Sequence, residues 1–449
     1  MNGRLRDQQG LSLIELMIAM LLALVVSGSV IAVFTSSSGS RLAQEQLARL
    51  QEEGRFAITQ IRDDLMLSGA QYCAGSGGNA HASAAGVYLD QLRVPTVYAN
   101  EPGALMTALN DVTTPWGSPY PSAPAQPYSL PSFLAMRGYD CSLSDCKPVD
   151  PSDRRNPHGF SIPAMGTSVD DRVVGASVLT VRYLDPSGGW SLSPDGDGVT
   201  VNADGSLSMD LSAATSALSA KDFAAGDPLV LLADCSQAQI FAVSGQGSSQ
   251  LVSNGNNFVQ PAVFENMVAP KLFNLSRDWR TITYFLKVVD DGDGMGHTTG
   301  ALIRRVNGGK TGVRDGSSEE VARGVERLDF KYGVQSSDGK VRYYTAEQVD
   351  NSSGTDCPSV PLPIRGSQDH GCLWRSVSLI EVDLLMDGQQ PLYSLTADEL
   401  AYTYATDGID APASPTAKGR KVTPLQQGFP LPMLRREFTT VVALRNVNP

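Results

Sequence analysis

The sequence predicts an α+β protein: a long N-terminal helix, transmembrane and then amphipathic, packed on an antiparallel β-sheet head with long loops. Three observations carry this. Residues 11–34 are apolar with one charge among them, Glu15. Beyond them, Leu47, Leu50, Gly54, Ile58, Ile61 and Leu65 recur at three- and four-residue steps, which places them on one helical face. From Val173 onward, short runs rich in Val, Ile and Leu follow one another with turn residues and no helices between them, a spacing that implies antiparallel pairing.

The first element is a polar head, residues 1–10, carrying Arg4 and Arg6. The apolar run after it would form about 36 Å of helix, enough to cross a hydrocarbon core of about 30 Å. Cations ahead of the run keep residues 1–10 cytoplasmic and send everything after Phe34 across the membrane. A carboxylate inside a membrane-length helix costs a few kcal/mol unless it finds a partner, so Glu15 marks a function. No proline interrupts the run, and Gly28 at most softens it. The chain turns polar at Ser36-Ser37-Ser38-Gly39-Ser40 and then resumes as an amphipathic helix to about Ser68, with Gly69 as a stop. Arg49, Glu52, Glu53, Arg55, Arg62 and Asp63 fall largely off its apolar stripe, which reads as core packing. The resulting division is 1–10 leader, 11–34 membrane or filament-core helix, 35–68 amphipathic continuation, and 69–449 head.

The junction Gly10-Leu11-Ser12-Leu13-Ile14-Glu15-Leu16-Met17 resembles the class III signal of type IV pilins and pseudopilins. The resemblance implies that a prepilin peptidase cuts between Gly10 and Leu11 and methylates the new N-terminus on Leu11. Glu15 is then the fifth residue of the mature chain, and in that family it neutralises the N-terminal amine of a neighbouring subunit. Two charges buried together cost less than either alone. An ordinary secretory signal cut near Val30-Ile31-Ala32, or an uncut anchor, is the competing reading. The length of the run and the early glutamate argue against a secretory signal. Leu11 stands where the family more usually has phenylalanine.

Residues 75–170 are rich in Gly, Ala, Ser and Pro, with prolines at 115, 119, 121, 124, 127 and 131. No amphipathic period survives there, so long loops with a few short elements are expected, inserted in the head. Strand-like runs follow at 176–184, 228–233, 239–243, 281–289, 301–306, 325–334, 341–345, 376–386 and 438–445. Turn chemistry separates them, as in Asp185-Pro186-Ser187-Gly188-Gly189 and Asn307-Gly308-Gly309.

Several of these segments extend the resemblance. Residues 46–57, Leu229-Val230-Leu231-Leu232-Ala233-Asp234-Cys235, residues 325–334 with the Asp338-Gly339 turn and Tyr343-Tyr344 behind them, and residues 438–446 look like minor pilins of the PilW family. That family is similar in role and fold to the J-type pseudopilin of type II secretion. The resemblance implies an inner-membrane protein with a periplasmic head that later sits in the filament at the cell surface. It implies the major pilin, other minor pilins and a tip adhesin as partners, with the subunit priming filament growth. The rival readings are a J-type pseudopilin and a surface adhesin or ligand-binding protein. The unmatched Pro-rich stretch motivates the adhesin reading.

Composition is consistent with this frame. The chain has 449 residues, a net charge of -12 and 18% charged residues. Such an acidic balance carries no broad footprint for nucleic acid. Six cysteines face an oxidising compartment: Cys73, Cys141, Cys146, Cys235, Cys357 and Cys372. The pairing is open from sequence. Spacing favours Cys141 with Cys146 and Cys357 with Cys372, leaving Cys73 with Cys235. No CxxC pair is present to suggest zinc.

No catalytic constellation emerges. Gly309-Lys310-Thr311 echoes the end of a P-loop, but position 304 is Arg where the motif needs its first glycine. Histidines at 81, 158, 297 and 370 show no motif spacing. The sequence predicts neither enzyme activity nor an organic cofactor. The one metal signal lies in two acidic turns, Asp195-Gly196-Asp197 and Asp291-Gly292-Asp293, which resemble the start of calcium loops without completing one. Asp and Gly are also ordinary turn formers.

Overall fold

The computed structural model describes residues 12–72, 79–83, 86–90, 94–101, 104–105, 108–109, 124–152, 162–185, 187–192, 198–211, 223, 228–234, 237–246, 249–262, 267, 269–307, 317–335, 340–354, 357, 370–409 and 411–444. Its first element is a 55-residue helix, Leu13–Leu67, about 80 Å long at 1.5 Å per residue. The side chains of the apolar run, Leu13 to Phe34, are all exposed. The second half packs on the head. At its end Gly69, with φ of +73°, turns the chain onto the Val178–Leu184 strand. There the Gly69 N–H donates to the Arg182 carbonyl and the Leu184 N–H to that of Ala70, both at 3.0 Å.

Among the described residues, three larger sheets build the head. One orders Ser317–Arg323, Thr298–Asn307, Trp279–Asp290, Val178–Leu184, Met136–Cys141 and Cys146–Lys147 side by side, all antiparallel. A second orders Val341–Tyr344, Val325–Gln335, Val377–Asp387 and Arg435–Ala443, all antiparallel, with the chain passing over Val325–Gln335 between the first and third of these. A third runs from Trp190–Ser191 through Lys271–Asn274, Leu229–Ala233, Ala238–Gln246 and Gln250–Ser253 to Leu207–Asp210 and Val199–Val201. Antiparallel pairing dominates, as the close strand spacing predicts. Among the described residues two short pairs are parallel: Thr96–Val97 on Ala238–Gln246, and Met165–Gly166 on Arg172–Val173.

Strand alternation explains how the layers bury themselves. In Leu229–Ala233 every residue is buried. Leu229, Leu231 and Ala233 point into the main core, while Val230 and Leu232 point into a second one with Trp190, Met209, Phe223 and Phe241. Side chains two residues apart share a sheet face, so a continuous apolar run fits a strand covered on both sides. The long helix contributes Leu50, Ala57, Ile61 and Leu65 to the main core. It lies against Arg435–Ala443 and Val377–Asp387 of one sheet and Ser317–Arg323 and Val178–Leu184 of another. The helix therefore bridges two sheets.

Candidate functional site

The site begins at the first turn of the helix. Ser12 Oγ accepts from the Glu15 N–H at 3.2 Å, and Glu15 Oε2 accepts from the Ser12 N–H at 3.0 Å. This reciprocal pair is a capping box: it satisfies two donors that a helix start otherwise leaves open. Glu15 thus closes on its own chain. Above it the helix is long and apolar enough to cross a membrane, with none of that span covered by the head. Gly10 and Leu11 lie outside the described residues.

The lower half of the helix docks through one seam. Gln46, Leu50, Gly54, Ala57, Ile61, Asp64, Leu65 and Ser68 are buried, while Leu47 and Ile58 are half-buried. Gln46 Nε2 donates to the Gln390 carbonyl at 3.1 Å. Gly54 lies against the ring of Phe438, close enough that a Cβ there would come within 2.5 Å of it. At the far end Asp64 receives Arg304 through Nε at 2.6 Å and a terminal nitrogen at 3.0 Å. Tyr284 Oη donates to the same carboxylate at 2.6 Å and Tyr183 Oη at 3.1 Å. Tyr284 and Arg304 are directly opposed across two paired strands, so the sheet register delivers both to one acceptor. Burial, then the Asp64 charge, pushes the Tyr183 phenol up to about 12 and the Tyr284 phenol higher. Both phenols therefore remain donors. The hydrogen bond to Asp64 raises the Arg304 guanidinium against the cost of its burial.

Asp64 and its three partners were not singled out by the sequence. The signal was present in the phase: position 64 continues the seam three residues after Ile61. Of the cysteines, the structure joins Cys141 to Cys146 and Cys357 to Cys372, the two short loops that spacing favours. Cys73 and Cys235 lie outside the described residues, as do Asp195, Asp197, Gly309-Lys310-Thr311 and the prolines at 115, 119 and 121. Asp291 and Asp293 sit in the turn between Trp279–Asp290 and Thr298–Asn307, together with His297, which sequence spacing did not connect to them.

A membrane-length apolar helix thus leads into an α+β head. Residues 5–31 match the family model for the prokaryotic N-terminal methylation motif, and residues 283–446 match that for type IV pilus-assembly protein W. The chain is thus related to type IV pilus proteins and similar to the PilW family, whose members are structural pilus components. The second match covers Tyr284, Arg304 and the whole four-stranded sheet. No curated protein and no solved structure matches the chain.

Proposed function

We propose that this chain is a non-enzymatic minor pilin of a type IV pilus, helping to start filament assembly and forming part of the tip complex with other minor pilins and a tip adhesin. The observation that carries the reading is the uncovered apolar helix with a single carboxylate in its first turn. Such a surface needs lipid or neighbouring helices around it. In the bilayer it serves as the anchor, and in a filament the same face packs against other subunits. Prepilin peptidase cleavage after Gly10 leaves a free amine on Leu11, about one helical turn from Glu15. A neighbour's amine would then compete with the Ser12 N–H for the Glu15 carboxylate. That exchange turns an intrachain cap into a contact between subunits.

The test is mass spectrometry of the mature N-terminus, from membranes and from sheared filaments. A methylated Leu11 in sheared material is the expected result. Gly10→Ala should abolish processing, and Glu15→Ala should insert yet fail to enter filaments. A mature chain starting near Val33 would replace this reading with that of an ordinary secreted protein.

A further inference from the structure

The turn joining Trp279–Asp290 to Thr298–Asn307 brings two carboxylates and an imidazole to one point. One ligand atom from each of Asp291, Asp293 and His297 lies within 4.8 Å of the others. Asp293 Oδ2 contacts His297 Nδ1 directly, while its Oδ1 accepts from the Met295 N–H at 2.6 Å. Asp291 Oδ1 accepts from the Asp293 N–H at 2.8 Å, and the Asp291 N–H donates to the His297 carbonyl at 3.1 Å.

A second observation points to a missing ligand. The Asp291 side chain is only 2% exposed, and its Oδ2 is buried without a hydrogen-bond partner. That oxygen lies 4.0 Å from His297 Nδ1, on the side of the cluster. A buried carboxylate oxygen without a donor costs on the order of 1–3 kcal/mol or more, so its placement here calls for a cation. The backbone leaves an entrance. Gly292, Gly294 and Gly296 all have positive φ, between +72° and +83°, and a Cβ on any of them would meet nothing within 4 Å.

We infer that this turn binds one divalent transition-metal ion of the zinc class through Asp291, Asp293 and His297. Donor chemistry selects the class. Calcium takes six to eight oxygen ligands, whereas a set of two carboxylates and one imidazole suits zinc or its first-row neighbours. Three protein ligands leave a fourth tetrahedral position for water. Tetrahedral ligands at about 2.0–2.2 Å sit about 3.3 Å from each other, so rotation of the half-exposed His297 ring and a small shift of Asp291 close the site. The entering ion takes the place of the proton between Asp293 and His297, which leaves to solvent. The inference concerns the head alone and does not depend on how the leader is processed.

The experiment uses the full-length chain in detergent micelles, stripped with EDTA and dialysed. Zinc chloride, manganese chloride and calcium chloride are titrated separately by calorimetry, with melting temperature as the second readout. One equivalent of zinc should bind with a Kd of about 1 µM or tighter and raise the melting temperature. Asp293→Asn and His297→Ala should each weaken binding on the order of 100-fold while leaving the melt in EDTA unchanged. Asp291→Asn keeps an acceptor for the Asp293 N–H and should do the same; it serves as the second variant if His297→Ala fails to fold. His370→Ala should bind as the parent does. Zinc binding untouched by the turn substitutions, or absent at about 100 µM zinc, overturns the site. Calcium binding in preference to zinc overturns the metal class.

Discussion

Asp64 is the residue on which the helix and the head agree most closely. Its side chain is 6% exposed and accepts from Arg304, Tyr284 and Tyr183 at once. Removing one partner of such a pair is worse than never having built it, because the remaining charge stays buried. Asp64→Ala should therefore destabilise the chain by about 3–5 kcal/mol, read by chemical denaturation in micelles. A variant as stable as the parent would show that Arg304 finds other partners. Asp64 was illegible in the sequence because Asp63 stands beside it with the same chemistry. Only helical phase separates the exposed acid from the buried one. Glu15 was legible for the opposite reason: it is alone in an apolar run.

At the scale of elements, helix and strands were legible where a single period ran long enough. The helix bounds Leu13–Leu67 fall within two residues of the expected 11–68. The runs that became Val178–Leu184, Leu229–Ala233 and Val377–Asp387 are apolar because both faces are covered or nearly so. Some strands escaped, although Val341–Tyr344 and Arg435–Ala443, both sheet edges, fall on expected runs. Ser317–Arg323 is exposed along most of its length and reads as polar chain, and Val199–Val201 is three residues long. Their identity as strands comes from a neighbour's hydrogen bonds, which no local pattern announces. The seam itself depends on close approach at Gly54. Gly54→Leu should force the helix away from Phe438 and cost about 1–3 kcal/mol. Combining it with Phe438→Ala should recover part of the loss, since the two sites share one space. Strictly additive effects in that double variant would remove the steric account.

The whole molecule carries a pH dependence set by buried acids. Burial pushes Asp140 up to about 7, against the Ala346 N–H that favours its charge, and pushes Asp387 up to about 7 beside Glu326. A carboxyl raised in the folded state binds its proton there at pH values where the unfolded chain has released it. Its contribution is therefore full below the unfolded value near 4 and is lost as pH rises towards about 7. Asp350 works in the other direction. Burial opposes its charge, but Arg137 and His370 hold its carboxyl low, so its contribution is lost in acid. Asp387→Asn should flatten the decline between pH 4 and 7 and raise stability at pH 8 on the order of a few kcal/mol. A melting curve that keeps the parent's pH profile would assign the dependence elsewhere. The dock of the helix has a mechanical consequence as well. Its contacts run along one side of the rod from Gln46 to Asp64 and join it to two sheets. A pull along the rod loads them in shear, all together, instead of peeling them one at a time. Tension applied at the anchored end is therefore shared across both sheets before any single contact gives way.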